Sequence, residues 1–136
     1  MKVGTGSFGS IFRALDLVTN QYVAVKIEKK AHQKKPSQLA NMIEWEVQIL
    51  TILDHEDGFP CLFKHGRIQD YNWMAISLLG INLEQLNKRN GKKGLSIDLS
   101  IQIGIQILKR IEKLHEYGYL HRDIKPENFL LNKDYP

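Results

Sequence analysis

The sequence has a single cysteine, Cys61, among its 136 residues. One thiol excludes an intrachain disulfide, so the composition favours an intracellular protein of the cytoplasm or the nucleus. Because Cys61 lies between Pro60 and Leu62, we expect it to be a small core residue. A reactive thiol is the less favoured alternative.

Long apolar runs are also missing. No segment is long enough to cross a bilayer, and the first ten residues, MKVGTGSFGS, lack the apolar stretch of a secretory signal. Hydrophobic residues make up 43% of the chain and charged residues 25%, which is typical of one globular domain or of part of a larger one. We therefore expect no membrane partner.

Patterns that bind nucleic acid or a transition metal are likewise lacking. The net charge is +4, and basic residues cluster in EKKAHQKK and NKRNGKKG, but no aromatic residues are interleaved with them. We interpret both clusters as solvated loops, with attraction to acidic substrates or nucleic acid as the alternative. Because no recognisable nucleic-acid module accompanies them, we expect no nucleic-acid partner. The five histidines have neither metal-ligand spacing nor cysteine neighbours.

What the sequence does contain is a strand-rich first half. VGTGSFGSIFRAL predicts two strands joined by a glycine loop, YVAVKIE predicts a third strand, and residues 61–79 predict two more around a polar turn. Between them, residues 37–53 predict a helix that starts at Pro36 and Ser37. Its apolar face carries Leu39, Met42, Ile43, Leu50 and Leu53, with Ile49 beside them.

The second half favours helices. Asn82 is a suitable cap for a short helix through LEQLNKR that ends near Gly91. Residues 95–107 alternate like a strand, but the apolar residues that follow continue at helical spacing. A strand of more than ten residues that runs straight into a helix is unusual. We therefore predict one long, buried helix over residues 96–117, ended by Gly118, and an α+β fold with two lobes.

Glu46 lies on the apolar face of the predicted helix, four residues from Met42 and from Leu50. A carboxylate that faces the core needs a cationic partner or loses free energy on desolvation. Lys26 is the natural partner, because a lysine is otherwise unexpected inside the valine-rich third strand. We predict a Lys26–Glu46 ion pair; the alternative is that both side chains reach solvent separately.

Gly4, Gly6 and Gly9 form a G-x-G-x-x-G pattern that leads into a strand-like stretch. In dinucleotide-binding folds the same pattern opens a helix instead. Between two strands, the glycines let backbone N–H groups approach phosphate oxygens. We predict a phosphate-binding loop, and a plain glycine hairpin is the alternative.

The stretch HRDIKPENFL places several reactive side chains in one short loop. Asp123 can accept a proton or orient a hydroxyl, and Asn128 offers an amide oxygen to a hard metal ion. Lys125 can neutralise charge on a transferring phosphoryl group, and Pro126 stiffens the loop. These residue types together favour phosphoryl transfer.

The order of these motifs resembles the eukaryotic protein kinases. G-x-G-x-x-G-x-I, A-V-K, a helix glutamate and H-R-D-I-K-P-E-N follow one another along the whole chain. SLLGINLEQL, ENFL and DGFPCLFKHG are similar to segments of the casein kinase I family, although Ile81 stands where that family usually has proline. The resemblance implies a protein-kinase-like fold: an N-lobe of antiparallel sheet with one helix, then a mainly helical C-lobe. It also implies transfer of the γ-phosphate of ATP to protein serine or threonine.

The resemblance further implies the residues of an ATP site. The glycines cover the phosphates, Lys26 holds the α- and β-phosphates, and Glu46 holds Lys26. Apolar side chains enclose the adenine, with Ile76 as the gatekeeper at the back and residues 77–79 as the hinge. The full implied set is Val3, Gly4, Gly6, Gly9, Ile11, Ala24, Lys26, Glu46, Ile76, Ser77, Leu78 and Leu79.

For the transfer itself, the resemblance implies that Asp123 is the catalytic base and that Asn128 binds Mg²⁺. Lys125, two residues after the aspartate, is typical of serine/threonine kinases rather than tyrosine kinases. The implied catalytic residues are therefore Asp123, Lys125 and Asn128, and the implied cofactors are ATP and Mg²⁺. The implied partners are protein substrates that are acidic or already phosphorylated.

A kinase also needs an Asp-Phe-Gly segment beyond Asn128. Among residues 129–136 the one aspartate, Asp134, is followed by Tyr-Pro. We therefore expect an incomplete kinase domain, with residues 1–79 as N-lobe and hinge, residues 80–136 as the start of the C-lobe, and no activity of this chain alone. We also expect a bare apolar face on the long helix. The alternative is a non-catalytic nucleotide-binding or pseudokinase-like module.

Overall fold

The computed structural model describes residues 1–6, 9–30, 42–54, 56–91 and 94–133. The chain forms two compact units, Met1–Leu78 and Leu79–Pro136. Strands dominate the first unit and helices the second, which confirms the predicted α+β fold. The sequence predicts a division after residue 79, whereas the structure divides the chain after residue 78.

Five antiparallel strands form one sheet in the first unit, in the order β1-β2-β3-β5-β4. Polar residues turn the chain inside two of the hairpins: Asn20 has a φ of 55° and Gln69 a φ of 50°. All five predicted strands are confirmed. Their bounds are Lys2–Gly6 (β1), Gly9–Asp16 (β2), Gln21–Lys29 (β3), Leu62–Ile68 (β4) and Tyr71–Ser77 (β5).

One helix, α1 (Met42–Ile52), packs against β3, β4 and β5 and closes the core of the first unit. The buried core consists of Ile43, Leu50 and Met74, with Val47, Leu62 and Ile76 packed around it. Leu53, just beyond the helix, is also buried, so the predicted apolar face is confirmed where it is described. The predicted start at residues 36–37, and Leu39, lie outside the described residues.

The second unit begins with a capped short helix, α2 (Leu83–Arg89). The Asn82 side chain accepts the N–H of Gln85 at 2.8 Å, and the Gln85 side chain accepts the N–H of Asn82 at 3.1 Å. This reciprocal capping box satisfies two backbone donors that the helix itself cannot pair. Gly91, with a φ of 63°, follows the helix end, so both predicted boundaries are confirmed.

The alternating segment forms a helix, α3 (Ile97–Glu116), as predicted. Ser96 caps its start by accepting the N–H of Leu99. At its end Gly118 has a φ of 82°; the Gly118 N–H donates to the His115 carbonyl and the Tyr119 N–H to the Leu114 carbonyl. This Schellman motif requires a left-handed residue, which explains the glycine.

The prediction that α3 is buried is wrong for the described residues. Leu114 is buried, but Ile97 is 78% exposed and Leu108 is 67% exposed. The strand-like alternation arises because α3 has two apolar stripes. Within each stripe the apolar residues are four positions apart, and one stripe is shifted by two positions from the other. The exposed stripe carries Ile97, Ile101 and Ile105, and the half-buried stripe carries Leu99, Ile103 and Ile107. The expected bare apolar face is therefore present.

Cys61 is exposed, so the prediction of a core residue is wrong. Its contacts with the sheet come from the main chain. The Cys61 N–H donates to the Ser77 hydroxyl, and the Cys61 carbonyl accepts the N–H of Ser77, both at 3.0 Å. These bonds fix the backbone without burying the side chain. In the part of the chain that the structure describes, no helix has the length and apolar character needed to cross a membrane.

Candidate active site

The register of the sheet brings five of the predicted ATP-site residues to one face. Gly4 lies opposite Ile11, and Ile11 lies opposite Lys26. Ala24 lies two residues from Lys26 on β3 and opposite Ile76 on β5. Directly opposite residues of an antiparallel pair, and residues two apart in one strand, project to the same side. These five therefore share the face on which α1 packs.

Lys26 and Glu46 form the predicted ion pair. The lysine Nζ donates a hydrogen bond to Glu46 Oε2, and the two side chains are 19% and 36% exposed. Partial burial strengthens the pair relative to a surface ion pair, because water screens it less. The alternative in which both side chains reach solvent separately is therefore wrong. An ammonium group has three donors, so Nζ keeps N–H groups for a second anion.

The glycines of the predicted phosphate loop meet different steric needs. A Cβ on Gly9 would lie 2.2 Å from the Ile27 carbonyl oxygen, so only glycine lets β2 approach β3 there. A Cβ on Gly4 would meet no atom closer than 4.0 Å, so packing does not require this glycine. Gly6 pairs with Gly9 at the mouth of the hairpin, and residues 7–8 at its tip lie outside the described residues. The alternative of a plain glycine hairpin explains why position 9 is glycine, but it does not explain the glycine at position 4.

The predicted adenine contacts differ in exposure: Ala24 is buried, Ile11 and Ile76 are half-buried, and Val3 is exposed. The predicted hinge starts at Ser77, whose N–H already donates to the Cys61 carbonyl. A nucleotide that binds beside Ser77 would therefore have to use its carbonyl group rather than its N–H. Leu79, also half-buried, is the first residue of the second unit.

In the second unit, an unusual backbone turn sets the position of Asp123. Arg122 has a φ of 61°, a left-handed conformation that is rare for a residue with a long side chain. The turn brings the Asp123 N–H to Nδ1 of His121 at 3.3 Å. The His121 ring in turn stacks on Phe129, with ring centroids 5.7 Å apart. The sequence analysis did not predict these supporting contacts.

The Asp123 carboxylate contacts both other predicted catalytic residues. Lys125 Nζ lies 2.8 Å from Asp123 Oδ2, and Asn128 Nδ2 donates to the same oxygen at 2.8 Å and to the Asp123 carbonyl at 2.7 Å. Lys125 first, and Asn128 second, lower the pKa of Asp123 below its ordinary value. The same contact with Asp123 raises the pKa of Lys125. The contacts with Lys125 and Asn128 therefore stabilise the ionised form of the Asp123 carboxylate, which accepts hydrogen bonds.

Asn128 offers an oxygen of the kind that Mg²⁺ prefers. Both of its hydrogen bonds to Asp123 use Nδ2, which leaves Oδ1 on the other arm of the amide. Among the described residues, no group of three or more His, Cys, Asp or Glu side chains could hold a metal ion. Mg²⁺ commonly binds one or two protein oxygens together with water and substrate phosphates. The residues present fit an ion of that kind, with Asn128 Oδ1 as its protein ligand.

Comparison with known families agrees with this geometry. The family model described as the protein kinase domain matches residues 1–135. The chain belongs to the protein kinase domain family. This kinase domain is 33% identical over 131 residues to a probable serine/threonine-protein kinase of Dictyostelium discoideum. The match covers 96% of the chain and 25% of that relative, so the chain spans about a quarter of the length of the curated relative.

The predicted site residues of this kinase domain are divided between the two units. The first unit contains Val3, Gly4, Gly6, Gly9, Ile11, Ala24, Lys26, Glu46, Ile76, Ser77 and Leu78, and the second contains Leu79, Asp123, Lys125 and Asn128. Reasoning from the sequence missed one buried acidic residue close to this set, Glu28. Glu28 lies two residues after Lys26, on the same side of β3. The available signal was a second charge, two residues after Lys26, in an apolar strand.

Proposed function

We propose that this chain forms the N-lobe and the start of the C-lobe of a serine/threonine protein kinase of the casein kinase I type. The complete enzyme transfers the γ-phosphate of ATP to a serine or threonine of a protein. The observation that carries the proposal is the Lys26–Glu46 ion pair. It holds a cation with spare donors on the sheet face that Gly4 and Ala24 share.

ATP would bind against this face in the first unit. Lys26 Nζ would donate to the α- and β-phosphates, while Glu46 keeps the ammonium group in position. The open space above Gly4 would admit the phosphates close to the backbone. Ala24 and Ile76 would contact the adenine ring with apolar surface, and residues 77–79 would form the hinge beside its polar edge.

The residues for phosphoryl transfer would come from the second unit. The Asp123 carboxylate is ionised at neutral pH, as an ordinary aspartate is, and its contacts lower its pKa further, so it can accept a hydrogen bond from the substrate hydroxyl. A carboxylate with a low pKa is a weak base, so its main work would be to orient the hydroxyl and to take its proton as the phosphoryl group transfers. Lys125 would neutralise charge on that group. Mg²⁺, held by Asn128, would neutralise the phosphates.

The finer parts of the proposal depend on resemblance. Lys125 two residues after Asp123 supports serine/threonine specificity, as does the name of the Dictyostelium relative. SLLGINLEQL and the phenylalanine at position 129 support the casein kinase I type, and Ile81 departs from it. By the same resemblance we propose acidic or phosphorylated protein substrates, and from the single cysteine we propose a place in the cytoplasm or nucleus.

The direct test is nucleotide binding by the purified chain. A fluorescent ATP analogue would be titrated into the wild type, Lys26→Met and Lys29→Met. Lys29 is the matched control, because it is an exposed lysine of the same strand on the opposite face. We expect Lys26→Met to weaken binding by roughly tenfold or more, the scale of a lost charged hydrogen bond, and Lys29→Met to leave it unchanged. Equal affinity for all three proteins would contradict the proposal.

A second candidate function is nucleotide binding without transfer. The observation that favours it is that Gly4, Ala24 and Lys26, which we propose to bind the nucleotide, all lie in the first unit, whereas the residues proposed for transfer lie in the second. The two candidates share the binding site and differ in whether phosphate reaches a protein substrate. Phosphate incorporation measured on the natural protein that contains this chain, with Asp123→Asn as the control, separates them. Incorporation that depends on Asp123 supports the kinase, and binding without incorporation supports the second candidate.

A further inference from the structure

Glu28 is a buried charged residue that the proposed reaction does not use. Its exposure is 5%, and its carboxylate lies between β3 and α1. Oε1 accepts the N–H of Met42 at 3.3 Å, and Oε2 accepts the N–H of Ile43 at 3.1 Å. Burial of a carboxylate is unfavourable unless hydrogen bonds compensate the lost water. These contacts with α1 are therefore a strong constraint on where the helix can lie.

We propose that Glu28 is a positioning residue that places α1 so that Glu46 meets Lys26. Glu28 and Lys26 are two residues apart on one face of β3, and Met42 and Glu46 are one turn apart on one face of α1. Strand and helix are thus joined at two points, through Glu28 at one and through the Lys26–Glu46 pair at the other.

The spacing of the two attachments supports this arrangement. Two residues along a strand advance about 6.6 Å, and four residues along a helix advance about 6 Å. Both attachments can therefore form at once without stretching either element. Glu44 also joins α1 to Arg67 and Asn72 of the neighbouring strands. At β3 itself, a helix held at Glu46 alone could shift about that contact, whereas a second contact one turn away fixes it. Glu28 then determines how long the Lys26–Glu46 pair stays closed.

The first test measures the ion pair directly and needs no nucleotide. In Glu28→Gln the side chain keeps its shape, but an NH₂ group replaces one acceptor oxygen and faces a backbone N–H. We would measure acylation of Lys26 by a water-soluble amine reagent, read by mass spectrometry, and amide hydrogen exchange of Met42 and Ile43. Glu46→Gln gives the rate for an open pair. Glu84→Gln is the control, because it makes the same change in an ion-paired carboxylate of the second unit, where Glu84 contacts Lys88.

We expect Glu28→Gln to raise the Lys26 acylation rate by roughly three- to fivefold, the scale of releasing one part-exposed ion pair. Exchange at Met42 and Ile43 should rise by about tenfold, the scale of a lost buried hydrogen bond. The double variant Glu28→Gln/Glu46→Gln should acylate no faster than Glu46→Gln, because both changes open the same pair. Glu84→Gln should match the wild type.

The same variants distinguish positioning from a general loss of stability. A folded Glu28→Gln protein with unchanged Lys26 acylation would overturn the proposal, even if its melting temperature fell. The proposal would also be wrong if the double variant were acylated faster than Glu46→Gln by the same factor by which Glu28→Gln is acylated faster than the wild type. If Glu28→Gln does not fold, Glu28→Asp, which shortens the reach by one methylene, is measured in the same way with the same criteria.

The consequence for ATP rests on the proposed function and is measured separately. Affinity for the fluorescent ATP analogue should fall in Glu28→Gln by the same three- to fivefold, and the double variant should bind the analogue no more weakly than Glu46→Gln does. If the wild type binds no nucleotide, the proposed function fails while the acylation result still decides the role of Glu28. If the wild type binds and Glu28→Gln binds equally well despite faster acylation, the positioning effect does not reach the nucleotide and the proposal is wrong on that point.

Discussion

Lys26 and Asp123 illustrate two ways in which this chain positions a charged side chain. Lys26 is partly buried, and its position depends on a carboxylate from another element, 20 residues away. Asp123 is exposed, and its position depends on a left-handed residue before it and on side chains within six residues. The first arrangement requires correct packing of α1, whereas the second requires only the local loop.

Gly4 and Gly9 give a prediction in which each alanine variant is the control for the other. Gly9→Ala places a Cβ against the Ile27 carbonyl, so β2 and β3 must separate and the free energy of unfolding should fall by about 1–3 kcal/mol. Gly4→Ala has room, so stability should stay within about 0.5 kcal/mol, while affinity for ATP falls because the methyl group occupies the phosphate approach. Urea unfolding and nucleotide titration of both variants check this. A Gly4→Ala protein with normal affinity would contradict the phosphate role.

The ionisation of Asp123 gives a prediction about pH. Lys125 lowers the pKa of Asp123, so Lys125→Met should raise that pKa toward its ordinary value, and a carboxyl ¹³C NMR titration measures it. For a lowered carboxyl pKa, the stabilisation is present above the unfolded-state pKa and is lost as the pH falls through the folded-state pKa. Lys125→Met should therefore be slightly less stable than wild type above the unfolded-state pKa, and this difference in stability should disappear as the pH falls through the folded-state pKa of Asp123. An Asp123 pKa that does not rise in Lys125→Met would show that the ion pair is not formed in solution.

At the scale of elements, the helices of the second unit are defined by their ends more than by their burial. Asn82 and Gln85 cap α2 reciprocally, and Ser96 caps α3. The exposed stripe of α3 contributes nothing to packing within the described residues, so its end motifs carry more of its local stability.

Gly104 and Gly118 test this on one helix, because neither has an atom within 4 Å of an added Cβ. Gly104 lies in the interior of α3, where alanine should raise the free energy of unfolding by about 0.5–1 kcal/mol. Gly118 has a φ of 82° in the C-terminal motif, where alanine should lower it by about 1 kcal/mol. Urea unfolding followed by circular dichroism measures both. If both substitutions changed the free energy of unfolding in the same direction, the geometry of the helix end would not determine the stability of α3.

At the scale of the whole molecule, the two units hold different parts of the proposed reaction. The first contains the cation and the glycine loop, and the second contains the ionised aspartate and the amide for Mg²⁺. Transfer requires both parts and a carboxylate that shares the metal ion. The residues that the structure describes include the first two parts and no aspartate of an Asp-Phe-Gly segment.

We therefore expect the isolated 136-residue polypeptide to bind nucleotide weakly and to transfer no phosphate at a useful rate. Asn128 alone fixes the ion poorly, so charge that develops on the phosphoryl oxygens is left uncompensated. The measurement is incubation with labelled Mg-ATP and casein, with Asp123→Asn as the control for a contaminating kinase. Phosphate incorporation that disappears in Asp123→Asn would contradict this expectation.

The sequence by itself determined every described strand, the three described α-helices and the pairing of Lys26 with Glu46. Strand and helix periods, caps and glycines act over a few residues, so they can be recognised without knowing what packs on what. The ion pair joins distant residues, yet it could be predicted because two opposite charges in apolar surroundings each need a partner. The motifs that identify the kinase domain are local in the same sense.

The tertiary structure alone decided burial and the supporting contacts. Cys61 and the apolar stripe of α3 are exposed, although their composition favours a core, because exposure depends on which other elements reach them. Glu28 is buried because α1 brings two backbone N–H groups to it, and backbone donors have no sequence signature. The left-handed Arg122 is likewise invisible in sequence, since the contacts of Asp123 with His121 and Asn128 impose it rather than a conformational preference of arginine.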